Sequence, residues 1–287
     1  MSVQKRAERA LAGYFDDRPE VLDHDSRAED LRTVVLETVH ERELCAGLED
    51  ICGGDGRELA WKDIRGGGRQ RPKLHSAYSS CGLALNTFGP WRADPASLVV
   101  ADRRGFAELR FEREFRIFRR GFAPNLDVAL TSPGRVLAIE SKLTEHLGKK
   151  PAPKFSDAYE SLESQVDPTW WAMYRNLKGP AMSFEYLDVA QLVKHYFGLN
   201  KYCQANSIHD AALLYLYWEP QDAGQYEALS RHAEEVDRFR AAVSDPVVRF
   251  ETMTYAELWA SWDDLGQPPW LRTHVAELRS RYAVGLP

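Results

Sequence analysis

The stretch Pro124–Glu145, PNLDVALTSPGRVLAIESKLTE, holds two short apolar runs, Leu126–Leu130 and Val136–Ile139, parted by Thr131-Ser132-Pro133-Gly134-Arg135. Valine, leucine and isoleucine fill the pleats of a strand and a Ser-Pro-Gly cluster closes a loop, so the stretch reads as a β-hairpin with a five-residue turn. Charge nevertheless sits inside it: Asp127 in the first run, Glu140 and Lys142 at the end of the second. An ionised side chain buried in a sheet costs several kcal/mol unless it is paired or binds a metal. Three of them on adjacent strands therefore mark a site.

Glu140 and Lys142 are two residues apart and project from one face of their strand, while Ser141 points to the other. The hairpin register can bring Asp127 alongside Glu140. Two carboxylates and a backbone carbonyl form an oxygen-lined site for a hard divalent cation, typically Mg²⁺, which keeps several of its waters. The lysine can orient or help deprotonate a water, or stabilise charge developing on a phosphorus-bound oxygen, which is the chemistry of phosphodiester hydrolysis.

Outward from the hairpin, Ala107–Arg120 alternates, with Leu109, Phe111, Phe115 and Ile117 on one side and Glu108, Arg110, Glu112, Glu114 and Arg116 on the other. That period predicts a half-buried strand, joined through Arg119-Arg120-Gly121 to the hairpin as an antiparallel meander. Ser76–Phe88 predicts a helix of small residues ended by Gly89-Pro90, and Gly53–Lys73, with its glycine clusters and the cations Arg65, Arg69, Arg71 and Lys73, reads as a mobile loop. Two N-terminal helices are expected, one through Ala7, Ala10, Leu11 and Tyr14 and one from about Ala28 through Leu31, Val34, Val35, Leu36 and Val39, entered at Asp25-Ser26. On the other side come a helix and loop over 156–180, a helix over Asp188–Leu199, and a buried strand, Ala211–Trp218. A helix over 227–243, a strand at Val247–Phe250 and helices over Tyr255–Leu265 and Leu271–Tyr282 complete the chain. The fold class expected is a mixed α/β sheet flanked by helices, divided as an N-terminal helical segment (1–52), a core (76–250) and a C-terminal helical extension (251–287).

The pattern D-(x12)-E-S-K at the ends of two adjacent strands resembles the PD-(D/E)XK nuclease superfamily, the restriction-endonuclease-like fold. The resemblance covers about half of the chain, and the helix, three-strand meander, helix and strand of that core match the elements between Ser76 and Trp218. It implies that Asp127 and Glu140 bind Mg²⁺, for which Mn²⁺ can substitute, that Lys142 assists the attacking water, and that the substrate is nucleic acid, most simply DNA. Leu126 stands where the motif has proline, with Pro124 two positions before it. Members also carry an upstream acidic residue, for which Glu114, Glu112 and Glu108 are candidates, and a glutamine on the following helix, here Gln191. Glu145 and His195 are further candidates. ESKLTE with the downstream QLVKH resembles a bacterial restriction-endonuclease-like protein group.

Each signal has a plainer counterpart. Any one of Asp127, Glu140 or Lys142 alone reads as a turn or a solvated strand end, alternating glutamates are normal on an exposed strand face, and His195 reads as a packed histidine. The basic loops 65–73, 103–104, 119–120 and 149–154 are ordinary solvated surface unless a polyanion is held there. Trp170, Trp171, Tyr215, Tyr217 and Trp218 read as core before base-stacking residues. His75 and Asn86 flank the small-residue helix and face a plausible groove, and a metal-independent enzyme using that helix with His75 and Ser76 has no nucleophile-elbow pattern to support it.

Composition sets the outer bounds. The 287 residues carry a formal net charge of −6, which argues against coating nucleic acid with the whole surface. Cys45, Cys52, Cys81 and Cys203 are scattered without a C-x2-C pair and are expected as reduced thiols. No apolar stretch spans a bilayer and the N-terminus is charged, so a cytoplasmic protein with no membrane partner is expected. The function expected is metal-dependent nuclease, with a homodimer suited to double-strand cutting. The alternative is an inactive module on the same fold that binds nucleic acid or protein.

Overall fold

In the computed structural model the hairpin forms from strands Asn125–Ser132 and Arg135–Lys142, with Ser132 paired to Arg135. The turn is thus tighter than the five residues expected. Only Pro133 and Gly134 leave the ladder, and Gly134 takes the left-handed φ of +75° that a Pro-Gly turn requires. The structure describes residues 1–54, 57–64, 68–120, 123–179, 184–263 and 268–287; Arg65, Gly121, position 180 and Leu265, named above, lie outside them.

In chain order the helices and strands are α1 (Val3–Ala12), α2 (Glu41–Gly53), β1 (Lys62–Ile64), β2 (Gly68–Gln70), α3 (Ser80–Phe88), β3 (Glu108–Glu114), β4 (Asn125–Ser132) and β5 (Arg135–Lys142). They continue as α4 (Pro168–Lys178), α5 (Val189–Asn206), β6 (Asp210–Tyr217), α6 (Glu227–Ala242), β7 (Val248–Thr254), α7 (Tyr255–Asp263) and α8 (Pro269–Tyr282). The main sheet runs β3-β4-β5-β6-β7; its first three strands are the antiparallel meander, and β6 and β7 add parallel to β5. This is the α/β architecture of a restriction-endonuclease-like fold. Among the described residues no helix is long and apolar enough to cross a membrane.

Side chains on the two faces of the sheet build two apolar layers. Phe111, Val128, Leu130, Leu137, Ile139 and Leu214 pack with α1, α2, α3, α7 and α8, so that residues from both ends of the chain meet in one core. Ala129, Val136, Ala138, Leu213 and Tyr215 pack with α4, α5 and α6. Trp170, stacked on Tyr196 at 4.0 Å, and Trp218, whose indole N–H donates to the Tyr282 carbonyl at 2.7 Å, belong to these layers.

Three local expectations are corrected. The helix expected from Ala28 is a short 3-10 turn, Leu31–Val34, followed by a turn that Val39 N–H closes onto the Leu36 carbonyl at 3.1 Å, and the α-helix begins only at Glu41. Side chains take the backbone groups a helix would use: the local Arg32 donates to the carbonyls of Val39 (2.6 Å) and Leu36 (3.1 Å), and the distant Asn86 accepts from Leu36 N–H (2.9 Å). The segment read as a mobile loop contains the two-stranded antiparallel sheet β1-β2. The alternation along 107–120 has the right period but changes face: Leu109 and Phe111 lie in the first layer, Phe115 and Ile117 in the second. The turnover is at Glu112, which adopts φ +49° and drops out of the ladder between the pairs Phe111–Val128 and Arg113–Leu126.

Candidate active site

Strand pairing puts the three charges together. Val128 pairs with Ile139, so Asp127 comes opposite Glu140, and the Ser141 N–H donates to Asp127 Oδ2 at 2.6 Å. Ser141 turns its hydroxyl to the other face, 2.7 Å from the Tyr255 hydroxyl, which leaves Glu140 and Lys142 on the side of α5. There Lys142 Nζ donates to Glu140 Oε1. His195, from α5, brings Nε2 to 2.9 Å from Glu140 Oε2. That approach is at ion-pair distance but off the hydrogen-bond axis, and among the described residues Glu140 Oε2 and both His195 ring nitrogens have no hydrogen-bond partner.

Electrostatics separates the two carboxyls. Glu140 is 2% exposed, and burial alone would raise its pKa, but Lys142 and then His195 outweigh burial and bring it down to about 2. Asp127 keeps part of its surface open, yet burial first, then the Glu140 and Glu112 carboxylates, push its acid well above the usual range. Lys142 is held above the ordinary lysine range because Glu140, Glu145 and Asp127 outweigh its desolvation. The cluster is thus one cation short: two carboxylates face each other, one is neutralised by lysine, and the other tends to keep its proton.

The remaining candidates are distributed as follows. Gln191 lies one turn before His195 on the same face of α5, whose first turn is capped by Asp188 accepting from Gln191 N–H at 2.9 Å. Glu145 accepts from the N–H groups of Leu143 (3.0 Å) and Thr144 (3.1 Å) and so shapes the exit of β5. Glu114 stands apart, ion-paired to Arg116 at 2.5 Å, and Glu108 pairs with Arg110 at 2.7 Å near the other end of β3. Glu112 is the glutamate whose position opposes Asp127. Its left-handed backbone is matched by Gly54, where an added Cβ would lie 2.7 Å from the Glu112 carbonyl oxygen. Asn86 is fully buried between Leu36, Val34 and Tyr282, and His75 Nδ1 lies 3.0 Å from the Ala28 carbonyl.

Sequence reasoning missed a second buried group behind Lys142. His146 and His232 are both fully buried with rings 4.5 Å apart, and the Tyr215 hydroxyl lies 2.9 Å from His232 Nε2. Burial, then His232, Lys150 and Lys142, hold His146 well below the histidine range; burial, then Lys150, holds His232 down to about 3. Only their spacing from ESK and from the β6 tyrosines links them in sequence, and no local pattern announces it.

Among the described residues no three His, Cys, Asp or Glu side chains gather as a closed metal cage. The donor set instead suits a hard cation that keeps most of its waters: the Glu140 oxygen without a hydrogen bond and the partly open Asp127 carboxyl. A family model described as Restriction Endonuclease associating with ARP matches residues 54–283, which include every residue of the cluster. No curated protein and no solved structure matches the chain.

Proposed function

The chain belongs to the family of restriction endonucleases associating with ARP, and from that premise we propose that it is a metal-dependent nuclease hydrolysing phosphodiester bonds of DNA at Asp127, Glu140 and Lys142. The observation that carries the proposal is the buried Glu140 with an oxygen lacking a hydrogen bond, set opposite an Asp127 whose acid is pushed up. A folded chain tolerates such an arrangement at a cost, and sites of this kind are where function resides. Asp127 and Glu140 would hold Mg²⁺ or Mn²⁺, which supplies Lewis acidity and a water of lowered pKa. Lys142 keeps its proton while Glu140 faces it. That suits it to orienting the attacking water, or to neutralising charge on a non-bridging phosphoryl oxygen, more than to removing a proton. His195 steadies Glu140 from the helix side, and Gln191 stands one turn away on the face that meets the same carboxylate.

The test is cleavage of linear, circular and single-stranded DNA with Mg²⁺ or Mn²⁺, with Lys142→Ala as control. Equal cleavage by that variant and the parent removes the assignment. The pairing of Glu140 with both Lys142 and His195 favours one rival, a binding module without turnover. Calorimetric titration with Mn²⁺ separates them, since the nuclease reading requires a metal site lost in Asp127→Asn. The family's description speaks of association with ARP, and on that wording an association with ARP is also proposed, while a homodimer would present one site to each strand of a duplex.

A further inference from the structure

The small sheet β1-β2 is the region that the site does not use. Arg57–Lys73 carries six cations, Arg57, Lys62, Arg65, Arg69, Arg71 and Lys73, against two acids, Glu58 and Asp63, in a chain whose net charge is −6. Its base is fastened beside the catalytic strands. The chain leaves α2 at Gly54, packed against Glu112, and returns at Leu74, against α3. Lys73 Nζ bonds Glu58 Oε1 at 3.1 Å across the two legs, and Arg71 pairs with Asp23 at 3.2 Å. Beyond that base, Trp61 is 48% exposed, one of the few large apolar side chains so placed. Arg69, a diagonal neighbour on the same face of the ladder, carries its guanidinium 5.6 Å from the Trp61 ring centroid. Lys62 and Arg69 are exposed as well.

An exposed indole is costly surface in water, and a guanidinium over the ring covers one side while leaving an aromatic plane for another π system. Cations flanking an aromatic platform are what single-stranded nucleic acid takes: bases stack and phosphates are neutralised. A regular duplex keeps its bases stacked on each other and offers the platform no free π face. Resting on the nuclease reading above, we infer that the legs of the β1-β2 hairpin are a nucleic-acid contact in which Trp61 stacks on an unpaired base and Arg69 and Lys62 engage the phosphates of that strand. The base of the hairpin adjoins Glu112, which opposes Asp127 across the sheet.

The test measures binding of a labelled single strand and of the matching duplex by fluorescence anisotropy, in Ca²⁺ to suppress turnover, beside Mn²⁺-dependent cleavage by the parent. Trp61→Ala is expected to weaken the single strand roughly tenfold or more, with the duplex affected much less, and Trp61→Phe to restore most of the loss. Arg69→Ala should reduce the slope of log affinity against log salt by about one. A parent that binds and cleaves while Trp61→Ala binds the single strand unchanged overturns the inference and leaves the nuclease reading standing. Equal weakening of single strand and duplex also overturns stacking on an unpaired base. A parent that neither binds nor cleaves removes both. Because Trp61 is exposed, the thermal midpoint of its variants is expected to match the parent.

Discussion

The molecule contains two charged hairpins, β1-β2 and β4-β5, and they treat charge in opposite ways. In β4-β5, strands of eight residues bury apolar side chains on both faces, and Asp127, Glu140 and Lys142 stand at the end of that core. In β1-β2, strands of three residues carry the exposed Lys62 and Arg69, the latter over the Trp61 ring, and the adjoining legs hold a surface pair, Lys73–Glu58. Buried charge is expensive and must be matched by partners or by a ligand, whereas exposed charge costs little. The first hairpin therefore stands out in the sequence through apparent misplacement of charge. The second carries composition but little energetic constraint.

The largest separation between the hairpins comes from removing single charges at β4-β5. Asp127→Asn is expected to lower Mg²⁺-dependent cleavage by roughly a thousandfold or more. The thermal midpoint near pH 7 should stay level or rise, because the variant relieves an acid that the fold holds above its ordinary pKa. Glu140→Gln should lose activity to the same extent but also lose roughly 3–5 kcal/mol of stability, since it leaves the Lys142 ammonium buried without its counter-charge. Equal stability effects from the two substitutions, read from urea midpoints, would contradict the division of roles between the carboxyls.

Acid tests the same core from behind. Burial holds His232 down to about 3 and His146 well below its ordinary range, and it also holds down to about 4 a third histidine away from this pair, His274 on α8, whose Nε2 lies 3.1 Å from the Thr87 carbonyl. The unfolded chain titrates these histidines near 6.5, so between that pH and the folded pKa values it binds more protons than the native state. Their contribution is complete above about pH 6.5 and is lost progressively as pH falls toward 4 and 3. Glu140, brought down to about 2, extends the loss in the same direction below its unfolded pKa near 4.5. Asp127, raised, has the opposite sign: its penalty grows as pH rises above its unfolded pKa. Thermal midpoints measured from pH 7 to pH 4 should fall steeply, and His232→Asn should flatten that fall. An unchanged slope would mean that the pair is not buried neutral.

Gly54 joins the hairpins and gives a smaller effect. A Cβ there would meet the Glu112 carbonyl oxygen at 2.7 Å, backbone that cannot swing aside, so Gly54→Ala is expected to cost about 1–3 kcal/mol. A loss of cleavage beyond that stability change would indicate that Glu112 and the strand turnover beside Asp127 set the site geometry. A shift in midpoint alone assigns Gly54 to packing.

The β4-β5 hairpin was legible because its signal is local: two apolar runs, a Pro-Gly turn, and charges where the pleat should be apolar. The run AALLYLYW read as a buried strand for the same reason, and β6 is that strand. What was not legible depends on contacts distant in sequence. Nothing in ELRFEREF marks Glu112 as left-handed, so Leu109 and Phe115 were expected on one face although they lie in different layers. The apolar spacing through Val34–Val39 looks helical because it cannot register Asn86, fifty residues away, accepting the Leu36 N–H. His195 read as a packed histidine, and it is packed; what it packs against is Glu140. The available signal was its position four residues after Gln191 on a helix capped by Asp188.

The smallest expected effect belongs to the exposed hairpin, and its smallness is the point. Lys73 is about half exposed and its partner Glu58 less so, at 53% and 19% of side-chain surface. Screening by solvent and the entropy of ordering a long lysine offset most of the attraction, so Glu58→Gln should cost no more than about 1 kcal/mol, less at high salt. Removing a carboxylate from a Lys–Glu pair is the same chemical change as Glu140→Gln, made where water can solvate the lysine left behind. If Glu58→Gln proved as destabilising as Glu140→Gln, the β1-β2 legs would be part of the folded core, and Trp61 and Arg69 would be held for packing. If it is nearly silent in stability while altering affinity for a single strand, charge in this hairpin serves the ligand and not the fold.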